Sequence, residues 1–239
     1  MQKLIKLAVL ILSVPIIFII YRETNKNYIN ITVLGDGLSQ GINSYEQIVY
    51  GYGDYIKDYY KKNSLLKNYS KEFTKKDMSI EMLNSYILIN KKMNLNNKKD
   101  NIRHILSESS VIIMSIGLND LIYKITLSNK KISTINTIVE ETYNDLENLI
   151  NEINKYNNNP IYIVGYYESK LLDYKMNYAI TKYNNLLKNN KNITYIDTNT
   201  YLKDSKYLEN PNSYYPNTEG YRTISSKIIS KIGKKLEKT

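Results

Sequence analysis

The chain has 239 residues, 42% of them apolar and 23% charged, enough for one α/β domain with a full core and unlike a disordered protein. It contains no cysteine, which excludes disulfides, thiolate metal sites, a cysteine nucleophile and a lipid-modified cysteine. The formal net charge of +10 suits an anionic partner such as acidic lipid, wall polymer or nucleic acid. The lysines, however, are spread along the chain in short runs with no nucleic-acid motif beside them, so no specific nucleic-acid partner is expected.

At the amino end, Lys3 and Lys6 precede an apolar run from Leu7 to Tyr21 that only Ser13 and Pro15 interrupt. Those residues would span roughly 22 Å as a helix, and Leu4 and Ile5 with snorkelling lysines bring the length close to a hydrocarbon core. The following Tyr21-Arg22-Glu23-Thr24-Asn25 offers no small-x-small cleavage site. The expectation is an uncleaved transmembrane signal-anchor over residues 1–24, its amino end cytoplasmic, with a domain over residues 25–239 on the extracytoplasmic side of the cell membrane.

The rest alternates strand and helix. Ile29–Leu34 is a β-branched run ending at Gly35, the pattern of a central parallel strand. Helices are predicted over Gly53–Lys62, Ser79–Asn90 and Asn97–Ser107, around a more polar edge strand, Lys67–Thr74. Val111–Ile116 is a continuous apolar strand ending at Gly117. A long helix starts at Ser133 as N-cap, its apolar face carried by Ile135, Ile138, Val139, Leu146, Leu149, Ile150 and Ile153. Strands at Pro160–Val164 and Ile193–Ile196 flank a helix over Asp173–Asn189, and Glu219–Leu236 is the last helix. Asn94–Asn101 and Asn154–Asn159 read as polar loops. Strands separated by helices imply right-handed crossovers and a parallel sheet, most compatibly in the flavodoxin-like order 2-1-3-4-5. A site would then lie at the carboxyl ends of the strands.

Three motifs fall on that rim: Gly35-Asp-Gly-Leu-Ser39 after the first strand, Ser115-Ile-Gly-Leu-Asn-Asp120 after the third, and Tyr215-Pro-Asn-Thr-Glu-Gly-Tyr221 opening the last helix. In order and spacing they resemble the G-D-S-L, G-x-N-D and D-x-x-H-P-N blocks of SGNH/GDSL hydrolases, over essentially the whole chain after the anchor. The resemblance implies a three-layer α/β/α flavodoxin-like fold with a five-stranded parallel sheet. It also implies an ester or acyl hydrolase in which a serine attacks, a histidine takes its proton and an aspartate orients the histidine. At the matching positions this chain has Gly37, Tyr215 and Asn212. Glycine cannot form an acyl-enzyme, a phenol of ordinary pKa ~10 is a poor base at neutral pH, and an amide cannot stabilise an imidazolium. The family's second block, with its oxyanion glycine, has no counterpart, because no glycine occurs between Gly53 and Gly117. Asn119 keeps the position of an oxyanion donor, with Asp36 and Asp120 as scaffold carboxylates.

Other residues do not restore the chemistry. His104, the only histidine, sits on a helix leading to the far end of the sheet and reads as a surface residue. Ser39 points about 200° away from position 37 around a helix and reads as helix-start chemistry. No metal or cofactor is expected, although Asp36, Asn119 and Asp120 would be the residues of a hard-cation site. The resulting expectation is a catalytically inactive, membrane-anchored binding or scaffold module at the cell envelope. Its cleft would be lined by Asp36, Gly37, Asn119, Tyr166, Asn212 and Tyr215 and would take an acylated or glycan-like group. The competing expectation is an active ester or acyl hydrolase that uses non-standard residues.

Overall fold

A computed structural model describes residues 28–95, 98–202, 205–208 and 215–236. The proposed anchor and Asn212 lie outside the described residues. Among the described residues no helix is long and apolar enough to cross a membrane.

Five strands form one parallel sheet: β1 (Ile29–Gly35), β2 (Leu66–Thr74), β5 (Val111–Ser115), β6 (Ile161–Val164) and β7 (Thr194–Ile196). Their order is β2-β1-β5-β6-β7, the flavodoxin-like arrangement expected from the sequence. β1, β5 and β6 are apolar because both faces are covered, and every residue of β5 and β6 is buried. The polar β2 lies at the edge. In register, Gly35 stands beside Thr74 on one side and Ser115 on the other, so all three mark the rim.

The helices are α1 (Gly37–Gln40), α2 (Tyr52–Lys62), α3 (Ile80–Leu88), α4 (Ile102–Glu108), α5 (Leu118–Thr126), α6 (Ile132–Asn154), α7 (Tyr174–Asn189), α8 (Asn199–Leu202) and α9 (Thr218–Leu236). α2 and α9 pack together, while α3, α5, α6 and α7 form a second group. Right-handed crossovers place these groups on opposite faces of the sheet.

Three sequence expectations need correction. The segment Asn94–Asn101 is not a loop: Lys92–Leu95 (β3) and Lys98–Asn101 (β4) pair as an antiparallel hairpin, and the next helix starts at Ile102. The hairpin's lysines, asparagines and aspartate have low strand propensity, which hid it. Ser133 is not the N-cap of the long helix. The N-cap position is Lys131, two residues earlier, and the helix starts at Ile132, where the Ser128 hydroxyl and the Asn129 side chain accept backbone N–H bonds and turn the chain. Finally, α5 was not anticipated, although Leu118, Leu121, Ile122 and Ile125 have helical spacing.

Candidate functional site

The turn after β1 is built around a buried carboxylate. Gly35 has φ +109°, and a Cβ there would lie 2.0 Å from the Ser115 carbonyl oxygen, so only glycine lets β1 bend this close to β5. Asp36 follows as the N-cap of α1, accepting from the Leu38 N–H at 3.1 Å. The Ser115 hydroxyl donates to Asp36 at 2.7 Å, and the Tyr166 hydroxyl donates to its other carboxylate oxygen. Only 3% of Asp36 is exposed, and burial raises its pKa to about 6 against the opposing effect of these hydrogen bonds.

The network continues inward. The Ser39 hydroxyl accepts from the Ser115 N–H at 2.8 Å, and lies 2.8 Å from the Ser115 hydroxyl and 2.6 Å from the Tyr52 hydroxyl. Because an ionised Asp36 can only accept, the donors run in one direction, from Tyr52 through Ser39 and Ser115 to Asp36. The helical spacing does turn Ser39 away from position 37, but into the interior of the rim. Burial and the nearby Asp36 hold the Tyr166 phenol well above its ordinary pKa, so it acts as a neutral donor. Tyr166 is therefore a buried strut and not a wall of an open cleft. Its main chain is fixed in turn by the Asn184 side chain, which accepts from the Tyr166 N–H at 3.1 Å and donates to its carbonyl at 2.6 Å.

Gly37 and Tyr215 meet above this network. A Cβ on Gly37 would lie 2.4 Å from the Tyr215 hydroxyl oxygen and 2.8 Å from ring carbon Cζ. The phenol thus occupies the space into which a side chain at position 37 would project. The motif that carries it explains the placement. Asn217 caps α9 by accepting from the Gly220 N–H at 2.9 Å, and its own N–H bonds the Tyr207 carbonyl at 2.8 Å. One turn later the buried Tyr221 donates to the Ile42 carbonyl at 2.6 Å, tying α9 to the loop after α1. Buried Tyr167 lies close by, its phenol pushed well up by burial and by Tyr215.

Asn119 does not present a donor to the rim, contrary to the sequence expectation. Its amide nitrogen donates to the Lys76 carbonyl at 3.0 Å and the Met78 carbonyl at 2.9 Å. Two carbonyl oxygens can be met only by the NH2 end of the amide, so both of its hydrogens are used. The neighbouring Asp120 accepts from the Ile80 N–H with both oxygens, at 3.3 and 3.2 Å. The first turn of α5 therefore clamps the segment between β2 and α3. That segment is where the sequence lacks a glycine for backbone donation, and Asn119 holds it in shape.

His104 is a surface residue, its ring 2.9 Å from Asp100 and 59% exposed. Among the described residues no cluster of histidine, aspartate and glutamate could hold a metal ion. One turn of α1 beyond Gly37, an open recess lies between Gln40, Ile48, Thr74 and Met93.

The GDSL-like Lipase/Acylhydrolase family model matches residues 31–228, from β1 into α9. The chain belongs to this family. GDSL proteins of known structure share its architecture. A lipase from a goat rumen metagenome superposes with a TM-score of 0.66 at 17% identity, covering 84% of this chain and 96% of that one. A catalytic mutant of Axe2, an acetylxylan esterase from Geobacillus stearothermophilus, gives 0.60 at 15% identity over 86% and 94% of the two chains. A lipase/acylhydrolase from Enterococcus faecalis gives 0.56 at 14% identity over 85% and 94%. No curated protein sequence matches at a comparable level. At these identities the GDSL neighbours establish the fold; they do not transfer a substrate.

Sequence reasoning found the motif residues but missed Ser115, Tyr52, Tyr167 and Asn184 as parts of the site. Ser115 opens the second motif and was within reach. The other three come from helices or loops whose only signal was their composition.

Proposed function

We propose that this GDSL-family chain is a non-hydrolytic binding module, held by its amino-terminal apolar segment on the extracytoplasmic face of the cell membrane. The observation that carries the reading is the packing of Tyr215 on Gly37. In a hydrolase of this family the serine side chain would need the volume that the phenol fills. The buried carboxylate, two serines and two tyrosines beneath it are hydrogen-bonded to one another, so they form a rigid floor and not a nucleophile–base pair. An acylated or glycan-like group would meet the Tyr215 phenol and the open recess between Gln40, Ile48, Thr74 and Met93. The anchor rests on the charge-then-apolar pattern of residues 3–21.

The test is turnover of short p-nitrophenyl esters by the full chain in detergent, beside a Tyr215→Phe variant. Rates equal to the buffer background in both support a binding module. Turnover that follows enzyme concentration and falls in Tyr215→Phe would establish a hydrolase with unusual residues instead.

A further inference from the structure

The fold brings part of the chain's dispersed positive charge to one end of the sheet. We propose that the face formed by the amino ends of the strands docks on an anionic lipid surface, directing the Gly37–Tyr215 rim away from the bilayer. This deepens the membrane-anchored reading above and rests on it.

Each long helix runs from the rim to this base, so helix carboxyl ends collect there. Lys61 and Lys62 end α2, Lys188 ends α7, and exposed Lys231 lies toward the end of α9. Cations are favoured at helix carboxyl ends, which accounts for the last-turn lysines. It does not account for Lys67 in β2 or Lys191 in the turn before β7, both exposed on the same base. None of these six takes part in an ion pair among the described residues, whereas Lys155, also at the base, is matched by Glu152 at 2.5 Å. Around the rim, Lys75 is matched with Asp77 at 3.0 Å, Lys76 with Glu46 at 2.7 Å and Lys130 with Asp173 at 3.7 Å, while Lys131, Lys170 and Lys175 have no ion pair among the described residues.

Strand order spreads the base lysines into a face. Lys61–Lys67 lie at the β2 edge and Lys188–Lys191 at the β7 edge, four strand spacings or ~19 Å apart. That exceeds the ~8 Å reach of one charge at physiological salt, so the face meets a plane better than a point ligand. Tyr28 enters β1 between these edges, and the apolar run Leu7–Tyr21 precedes it by only six residues. A bilayer reached by that run would lie against this base. The apolar entry favours lipid over a nucleic acid, the other extended polyanion. Because β1 has seven residues, the rim would stand ~20 Å further out. The group recognised there would belong to an envelope polymer above the membrane and not to the headgroups beneath.

The chain has no cysteine, so a single introduced one reports position without background. The experiment places the full chain in lipid nanodiscs bearing a headgroup acceptor dye, with a donor on Asn158→Cys at the base or Tyr45→Cys above the rim. In discs containing phosphatidylglycerol at low salt, energy transfer should be clearly higher from position 158 than from 45. The difference should shrink to what the six-residue tether alone imposes in phosphatidylcholine alone, in 0.5 M salt, and in the Lys61→Gln/Lys62→Gln/Lys188→Gln/Lys191→Gln variant. That variant should lose docking on the order of 1,000-fold, from about fivefold per lysine over four lysines, while its melting temperature confirms a folded domain. Equal or reversed transfer in anionic discs would overturn the docking but leave the anchor standing. Failure to enter any disc would overturn the anchor and the docking together. Tighter binding of duplex DNA than of anionic discs through the same four lysines would reassign the partner and overturn the proposal.

Discussion

Substituting Gly37 by serine should do opposite things in two backgrounds. In the native chain the new Cβ would sit 2.4 Å from the Tyr215 oxygen, about 1 Å inside a normal carbon–oxygen contact. The phenol is carried by a segment tied to Tyr207 and to the cap of α9, so it can retreat only by disturbing those bonds. Overpacking of this kind costs ~1–3 kcal/mol. At ~2–4 °C per kcal/mol for a domain of this size, the melting temperature should fall by roughly 2–12 °C. Once Tyr215→Ala has removed the ring, the clash disappears. Gly37 has no positive φ and lies in the first turn of a helix, so serine would then stabilise by ~0.4–1 kcal/mol through the unfolded chain. The coupling energy from a double-mutant cycle, measured by urea unfolding, should therefore be ~1.5–4 kcal/mol. Additive effects, or a Gly37→Ser variant as stable as the native chain, would refute the occupation of position 37 by the phenol.

The remaining predictions concern the floor and flanks of the rim. Asp36 has a folded pKa of about 6, above its ordinary 3.8, so its contribution to stability is complete at acid pH and is lost as pH rises through 6. At 1.36 kcal/mol per pH unit the loss amounts to ~3 kcal/mol, and Asp36→Asn should flatten the stability profile between pH 4 and 8. An Asp36→Asn variant that keeps the native pH dependence would assign it to other groups. Replacing Asn119 by alanine strips two backbone carbonyls of their donor, and should cost ~1–3 kcal/mol with faster hydrogen exchange over residues 76–80. Unchanged exchange there would mean that the segment holds its own shape. His104→Ala removes only an exposed hydrogen bond to Asp100 and should change stability by less than ~0.5 kcal/mol, read by the same unfolding assay.

How much of this was legible in the sequence depended on how local each signal was. Buried strands such as Val111–Ser115 announce themselves because both faces must be apolar, and the strand order follows from the alternation with helices. The Lys92–Asn101 hairpin carries no such alternation and was invisible. Tyr215 was legible as a motif position, but its seat on Gly37 depends on contacts nearly 180 residues apart in sequence. The same holds for Asn119, whose amide reaches carbonyls more than forty residues back along the chain. The placement of charge is a similar case: lysines scattered in sequence come to one end of the sheet only because the long helices run in one direction.

The most direct measurement is the intact mass of the full chain after incubation with a fluorophosphonate, which labels activated hydroxyl nucleophiles. With a tyrosine seated on Gly37, the Ser115 hydroxyl bonded to Asp36 and the Ser39 hydroxyl to Ser115 and Tyr52, the expected mass is that of the untreated protein. A stoichiometric phosphonyl adduct would contradict the binding-module reading, and peptide mapping of that adduct would locate the nucleophile.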